Sequence, residues 1–107
     1  MIILTESNFW LRPWMAGCNF GPITFIRKST DNPLVRAHEA EHERWFWRNP
    51  LFYGFMCWLS KEYHLASEVA AYKVEIAMGR NSLSCAQSIA RNYGFDVSVD
   101  EVLELLK

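Results

Sequence analysis

The spacing of apolar and polar residues after residue 32 predicts a series of helices, of which the first is the most clearly marked. The positions that recur every three or four residues along one face of it are Leu34, Val35, His38, His42, Trp45 and Phe46. Asp31-Asn32-Pro33 is a start signal, because asparagine or aspartate can cap a helix and proline suits its first position. The helical conformation is disfavoured for a residue that precedes a proline, so the helix is expected to end near Asn49-Pro50.

Four further helices are expected downstream, punctuated by glycine and serine. Their predicted ranges are Leu51 to about His64, Ala66 to about Met78 ended by Gly79, Ser82 to Tyr93 closed by Gly94, and Ser98 to Leu106. Ser98 followed three residues later by Glu101 is a capping box. The helix that begins at Leu51 is almost wholly apolar up to Leu59, which predicts burial nearly all round, with Gly54 as its weak point.

The first third of the chain has a different pattern, and it predicts loops with a small β element. Its punctuation residues are Pro13, Gly17, Gly21 and Pro22. Ile23-Thr24-Phe25-Ile26 is β-branched and aromatic, as strands are, and Ile2-Ile3-Leu4 is a candidate second strand. The expected fold is therefore mainly α (α+β): one compact helical domain over residues 1–107 with a small β element near its N-terminus.

Composition narrows the class of protein. The chain has 107 residues, half of them hydrophobic, with five Trp and seven Phe, which indicates a globular domain with ample core material. A formal net charge of -1 without a basic cluster argues against nucleic acid as a partner. The most apolar window, Leu51 to Leu59, is too short for a bilayer that needs about 20 residues, so it predicts a core helix or at most an interfacial patch.

The cysteines and the N-terminus bear on location. The number of cysteines is odd, and no two of them form a C-x-x-C pair. Cys18, Cys57 and Cys85 are therefore interpreted as small buried residues in a reducing compartment. The first residues lack a basic segment followed by a long apolar one, so no signal peptide is evident. Cytoplasmic residence is the resulting expectation.

Candidate chemistry lies on the first predicted helix, in the run His38-Glu39-Ala40-Glu41-His42, which fits the pattern H-E-x-x-H. The chain has only three histidines, and two of them are here. Four residues apart on a helix, the two imidazoles share one face and can bind a single cation, while Glu39 is placed to remove a proton from water at that cation. Both histidines lie inside the apolar stripe, on the face that is expected to be buried.

A catalytic zinc site usually takes a third protein ligand. The metzincin pattern would require glycine at position 45 and histidine at position 48, but Trp45 and Arg48 stand there. A glutamate on a later helix is the other common solution, and Glu68, 26 residues beyond His42, is the best candidate by position. His64 could also be a ligand, but it is interpreted as a polar residue at a helix boundary. Glu75, seven residues after Glu68 on nearly the same helix face, could be a partner of a ligand, but it is interpreted as a surface charge.

Ser67-Glu68-Val69-Ala70-Ala71-Tyr72 resembles the Glu-x-x-Ala segment of gluzincin-type metallopeptidases, including short zincin-like proteins of bacteria and phages. The resemblance covers about residues 23–76, the expected metal-site core, and leaves residues 82–107 as a C-terminal helical pair. It implies that His38, His42 and Glu68 bind Zn²⁺, and that Glu39 is the catalytic base in hydrolysis of a peptide or protein substrate. Tyr72 stands where many gluzincins carry an acidic residue that orients a zinc-bound histidine.

Three alternatives stay open at the level of sequence. His38, Glu41 and His42 also fit the reversed order H-x-x-E-H, in which Glu41 would be the base, and helical geometry alone does not decide between the two glutamates. The domain could instead bind zinc without catalysis and recognise a protein partner. It could also be a metal-free helical module that docks a partner through its C-terminal pair. For a catalytic site, the candidate oxyanion donors are Tyr63, His64 and Tyr72.

Overall fold

The computed structural model describes residues 1–7, 11, 15–20 and 22–107. Three strands, a 3-10 turn and five helices follow one another along this part of the chain. They are β1 (Ile2–Thr5), β2 (Gly17–Phe20), β3 (Ile23–Arg27), the 3-10 turn (Lys28–Thr30), α1 (Pro33–Arg48), α2 (Tyr53–Leu59), α3 (Lys61–Ala77), α4 (Ser82–Asn92) and α5 (Val99–Leu105). The expectation of a mainly helical α+β fold with a small β element near the N-terminus is confirmed.

The β element is a three-stranded sheet with the strand order β1-β3-β2. β1 runs parallel to β3 with Ile2 opposite Thr24, and β2 runs antiparallel to it with Gly17 opposite Ile26. β3 is the apolar central strand, and its residues 24–26 are buried. The strands predicted at residues 2–4 and 23–26 are present, whereas β2 falls where the glycine and proline spacing predicted loop. Pro13 and Gly21, two of the predicted loop residues, lie outside the described ranges.

The helix starts follow side-chain caps that the sequence signals. The Asn32 side chain accepts a hydrogen bond from the Val35 backbone at 3.0 Å, and Pro33 occupies the first position of α1. Ser98 accepts from the backbone of Glu101 at 3.1 Å and starts α5, as the predicted capping box requires. Gly79 and Gly94 have φ of +106° and +66°, the left-handed conformation that ends α3 and α4.

The second and third helices were predicted with the wrong boundary. The predicted helix from Leu51 to about His64 ends at Leu59, and the next begins at Lys61 and not at Ala66. Ser60 divides them: its backbone is extended, with ψ of 110°, and its hydroxyl accepts a hydrogen bond from the Tyr63 backbone. A serine with this geometry is an N-cap, so it starts a new helix and cannot continue the old one.

The predicted burial of α2 is also wrong. Only Tyr53 is buried in this helix, and the apolar side chains around it are largely exposed. The buried hydrophobic core lies elsewhere, between α3, α4 and α5. Its buried members are Tyr72, Cys85, Ala86, Ile89, Phe95, Val102 and Leu106. The C-terminal helical pair is therefore packed into the main core of the domain.

The fold bears on two features that the sequence predicted: the burial of the cysteines and the lack of a membrane-spanning segment. Of the three cysteines, which are all free, Cys85 is fully buried, but Cys18 and Cys57 are only partly buried. The interpretation of all three as buried residues therefore holds for Cys85 alone. Among the described residues, none of the helices has the length and apolar character needed to cross a membrane.

The core between α3, α4 and α5 predicts a large effect of truncation at its centre. Ile89 is fully buried in α4, so Ile89→Ala is expected to lower the free energy of unfolding by about 3 kcal/mol, measured by urea denaturation. Leu83 on the same helix is 48% exposed, and Leu83→Ala is the matched control, with an expected change within about 0.5 kcal/mol. Equal losses in the two variants would contradict this location of the core.

Candidate metal centre

Three side chains that the sequence singles out converge at the interface between α1 and α3. His38 and His42 lie one turn apart on α1, and their Nε2 atoms are 3.2 Å apart. Glu68 on α3 faces both: Oε1 is 3.0 Å from His42 Nε2, and Oε2 is 3.3 Å from His38 Nε2. All three residues are buried, and one potential ligand atom from each lies within 4.8 Å of the others.

The spacing of these atoms fits a tetrahedral metal ion. Zinc binds histidine nitrogen and carboxylate oxygen at about 2.0–2.1 Å, and a regular tetrahedron with such bonds has edges of about 3.3–3.4 Å. The separation of the two Nε2 atoms, 3.2 Å, lies close to that edge length, and the two Glu68 oxygens lie 3.0 and 3.3 Å from one histidine nitrogen each. Two imidazoles and a carboxylate are also the donor set of a catalytic zinc site with a fourth position open. The residues thus fit Zn²⁺ in spacing and in chemistry.

A second set of side chains orients the two imidazoles. His38 Nδ1 donates to Glu75 Oε2 at 2.8 Å, because an ionised carboxylate can only accept. This bond leaves the lone pair of a neutral His38 on Nε2, the atom that faces Glu68. His42 Nδ1 is 2.9 Å from Ser67 Oγ and 3.1 Å from the Tyr53 hydroxyl. Such contacts fix ring orientation at metal sites.

Arg80 extends this arrangement beyond Glu75. Its Nη1 donates to Glu75 Oε1 at 2.9 Å, so the carboxylate is held from both sides. The Arg80 guanidinium also lies 5.3 Å from the ring centre of Tyr72, and that ring packs edge-to-face on His38 at 4.5 Å. The carboxylate that contacts His38 thus comes from Glu75, while the ring at position 72 packs against the same histidine. Glu75 is buried, so its interpretation as a surface charge was wrong.

The electrostatics of the three residues favour a positive charge between them. Burial acts to lower the pKa of His38, but hydrogen bonds to Glu68 and Glu75 outweigh burial and raise that pKa to about 10. Burial acts to raise the pKa of Glu68, but the charges and hydrogen bonds of the two histidines lower it well below its usual range. In the metal-free protein, the carboxylates of Glu68 and Glu75 attract a proton onto His38. A metal cation would compete with that proton for the same position.

The two glutamates of the pentad have different surroundings. Glu39 is buried, lines the same cavity as the histidines, and its Oε2 has no hydrogen-bond partner among the described residues. Burial raises the pKa of Glu39. Glu41 is held by Arg44, with Nε to Oε2 at 2.9 Å, and does not line the cavity. The surroundings favour Glu39 as the base where helical geometry alone left the choice open.

Strand β2 fixes the position of Glu39 from the side opposite to the helix. A Cβ at position 17 would lie 3.1 Å from Glu39 Oε1 and 3.2 Å from Glu39 Cγ, closer than side chains normally approach. A side chain at position 17 would therefore need Glu39 to shift by a few tenths of an ångström, and glycine lets β2 pack against this carboxylate without that shift. The glycine that was interpreted as loop punctuation is in a strand, next to the candidate base.

The cavity has a volume of about 490 Å³ and has walls from five elements of the fold. β2 forms one side, and α1 and α3 carry the three candidate ligands. Tyr53, Gly54 and Cys57 come from α2, while Ser88 and Asn92 come from α4. The C-terminal pair therefore contributes to the site, although the family resemblance stopped before it.

His64 lies in the first turn of α3 and lines the cavity, so its placement at a helix boundary was wrong. Its Nε2 is 3.8 Å from Glu68 Oε1, and its ring packs edge-to-face on Phe95. Burial lowers the pKa of His64, which favours the neutral imidazole near neutral pH. His64 is thus a neutral hydrogen-bonding group beside the candidate ligands.

Sequence reasoning missed Tyr53, Ser67 and Arg80, and for Glu75 it favoured a surface charge over a partner of a ligand. A signal existed for Glu75, because it follows Glu68 by seven residues and two helical turns return to the same face. No comparable spacing marks Tyr53 or Arg80, which reach the site only through tertiary packing. Comparison of the chain with models of protein families, with curated proteins and with solved structures found no match. What can be said of the site therefore rests on its geometry.

The contact between Glu75 and His38 predicts a role in metal affinity. Glu75→Gln removes the charge that holds the Nδ1 proton, so we expect zinc affinity to fall about 10- to 100-fold, measured by competition with a chromogenic chelator. Glu104→Gln is the control, since Glu104 is an exposed carboxylate that pairs with the exposed Lys107. Unchanged affinity in Glu75→Gln would contradict the orienting role.

The raised pKa of His38 predicts how the stability of the metal-free protein depends on pH. A folded-state pKa of about 10 against an ordinary 6.5 means that the contribution of His38 is complete below pH 6.5 and is lost as pH rises to about 10. The free energy of unfolding, measured with chelator present, is expected to fall over this window. His38→Gln should lack that part of the fall. A decrease of equal size in His38→Gln and wild type would show that other groups cause it.

Proposed function

We propose that the chain is a zinc-dependent peptidase in which His38, His42 and Glu68 bind the metal and Glu39 is the general base. The observation that carries the proposal is Glu39 Oε2, a carboxylate oxygen that is buried beside the three candidate ligands without a hydrogen-bond partner among the described residues. A buried carboxylate without a partner is costly. Such a cost is typical of groups that act on a ligand or substrate.

Zinc at this position would supply Lewis acidity, which lowers the pKa of water and polarises a carbonyl group. Glu39 accepts the water proton as the water attacks the peptide carbonyl, and then gives the proton to the leaving amine. A pKa raised by burial suits this role, because a base works best when its pKa lies near the working pH. Glu75 and Ser67 keep the two imidazoles aimed at the metal through their Nδ1 atoms.

A donor for the carbonyl oxygen is the remaining requirement of the chemistry. Of the three candidates named from the sequence, His64 and Tyr72 line the cavity, whereas Tyr63 is not among the described residues that form its wall. The Tyr72 hydroxyl is already 3.3 Å from that of Tyr93, and burial raises the Tyr72 pKa to about 12, so it stays protonated. His64, with no ring nitrogen nearer to Glu68 than 3.8 Å, is our candidate donor.

The alternative function is a zinc-binding domain that recognises a protein partner and performs no chemistry. The observation that favours it is the position of the ligands: His38 and His42 lie on α1 and Glu68 on α3, so a metal would join the two longest helices. Such a metal would stabilise the fold whether or not catalysis occurs. Glu39 separates the two functions, because only the peptidase needs its carboxylate.

Glu39→Gln tests the proposal. The variant is expected to bind one zinc per chain, as wild type does, and to lose at least about 100-fold in peptide hydrolysis, because the amide cannot accept a proton. Hydrolysis is measured by mass spectrometry on a pool of unstructured peptides, and zinc by elemental analysis. Glu41→Gln is the matched control on the same helix and should retain activity within a few-fold, since Arg44 holds Glu41 away from the cavity.

Each contradictory outcome points to a different error. Cleavage lost in Glu41→Gln but kept in Glu39→Gln would assign the base to the other glutamate. Stoichiometric zinc in wild type without cleavage of any peptide in the pool would contradict the peptidase and favour the non-catalytic domain. Stability that does not respond to chelator, in protein that contains no zinc, would contradict both.

A further inference from the structure

Exposed apolar side chains are concentrated on the outer surface of α2 and in the residues that precede it in the chain, and we call this group the aromatic face. Its members are Trp47, Leu51, Phe52, Phe55, Met56, Trp58 and Leu59. Six of the seven side chains are more than half exposed, with Leu51 at 85% and Trp58 at 80%. The four members within α2 span about 160° of the helix, and Tyr53 lies on the opposite side, toward the cavity.

The size of this face sets it apart from ordinary surface apolar residues. Large apolar and aromatic side chains have about 150–250 Å² of surface each, so seven of them at this exposure present on the order of 800 Å². The largest apolar patch of a typical monomer is about 300–600 Å² and is often functional. The aromatic face is thus large enough to be a binding surface.

Charge around the face indicates what binds it. Residues 49–60 contain no charged side chain, and Arg48 and Lys61 stand at the two ends of this run. Both are exposed, and neither forms a salt bridge within the part of the chain that the structure describes. From residue 44 to residue 61 there is no carboxylate. An apolar surface with a cationic edge matches a lipid surface that carries anionic headgroups.

A second copy of the chain fits this surface less well. Two aromatic faces packed symmetrically would bring the Arg48 and Lys61 edges of both copies close together, and like charges oppose such pairing. A groove for a partner helix requires two neighbouring helices, whereas most of the face lies on the outside of one seven-residue helix. Tryptophan and phenylalanine beside basic residues are instead typical of segments that lie at a membrane interface.

We propose that the aromatic face docks the protein on anionic lipid surfaces. Trp47 and Trp58 enter the boundary between headgroups and acyl chains, a layer about 5–10 Å deep, while Arg48 and Lys61 contact the headgroups. The inner face of α2 carries Tyr53, whose hydroxyl is 3.1 Å from His42 Nδ1. The docking helix is therefore also a wall of the cavity, so a docked chain keeps that cavity next to the lipid surface.

Vesicle flotation tests this proposal without reference to catalysis, on the chain in the presence of chelator. Wild type is expected to float with vesicles of phosphatidylcholine and phosphatidylglycerol, and at least about tenfold less with phosphatidylcholine alone. Trp58→Ser with Leu59→Ser should lower binding at least about tenfold, since both side chains are exposed in α2. Leu83→Ser with Leu105→Ser removes two side chains that are 48% and 46% exposed elsewhere, and should bind as wild type does.

A second variant, Arg48→Gln with Lys61→Gln, changes only exposed polar side chains and is not expected to affect folding. It should lose most of the preference for anionic vesicles, and salt should have less effect on its binding than on that of wild type. The proposal is overturned if wild type does not bind anionic vesicles, or if Trp58→Ser with Leu59→Ser and Arg48→Gln with Lys61→Gln both bind as wild type does. The proposal is also overturned if Trp58→Ser with Leu59→Ser abolishes a dimer that wild type forms in place of vesicle binding.

Discussion

The structure depends on the meeting of two imidazoles and one carboxylate at the buried interface of α1 and α3. The histidine nitrogens and carboxylate oxygens at this interface lie about 3.0–3.3 Å apart, and each has a lone pair that can bind a metal or accept a hydrogen bond. Such an arrangement needs a positive charge among the three residues, whether from a proton on His38 or from a metal ion. In the metal-free chain, the raised pKa of His38 and the lowered pKa of Glu68 both reflect this need for a positive charge.

This polar centre explains where the rest of the core lies. The interface between α1 and α3 contains buried polar side chains where two packed helices usually have apolar ones. The six that are buried are His38, Glu39, His42, Ser67, Glu68 and Glu75. The fully apolar core is formed instead by α3 with α4 and α5. α3 belongs to both, since one of its faces carries Glu68 and Glu75 and another packs on the C-terminal pair. A chain without that pair would lose the support of the helix that carries Glu68.

Much of the helical fold could be predicted from the sequence, because periodicity, caps and glycine ends are local signals. Asn32-Pro33, Ser98, Gly79 and Gly94 act in the structure as they were interpreted. The convergence of His38 and His42 was predictable because their spacing is itself helical geometry. Ser60 was a local signal too, but a continuous apolar pattern obscured it, and the boundary between α2 and α3 was placed wrongly.

What could not be predicted depends on contacts between distant parts of the chain. The apolar run of α2 is compatible with a core helix or an exposed one, since periodicity measures which residues are apolar and not what covers them. The burial of Glu75 requires His38 on one side and Arg80 on the other. β2 forms because β3 is there to pair with, and the sequence Gly17-Cys18-Asn19-Phe20 has little strand character of its own.

X-ray absorption at the zinc edge of the zinc-loaded chain tests most directly whether His38, His42 and Glu68 bind the metal. Binding by these residues predicts four light ligands at about 2.0–2.1 Å, with the multiple scattering of two imidazoles and no sulfur contribution. Cys57 also lines the cavity, and a thiolate ligand would appear as a sulfur distance near about 2.3 Å. A sulfur shell, or a spectrum with fewer than two imidazoles, would contradict the assignment of His38, His42 and Glu68.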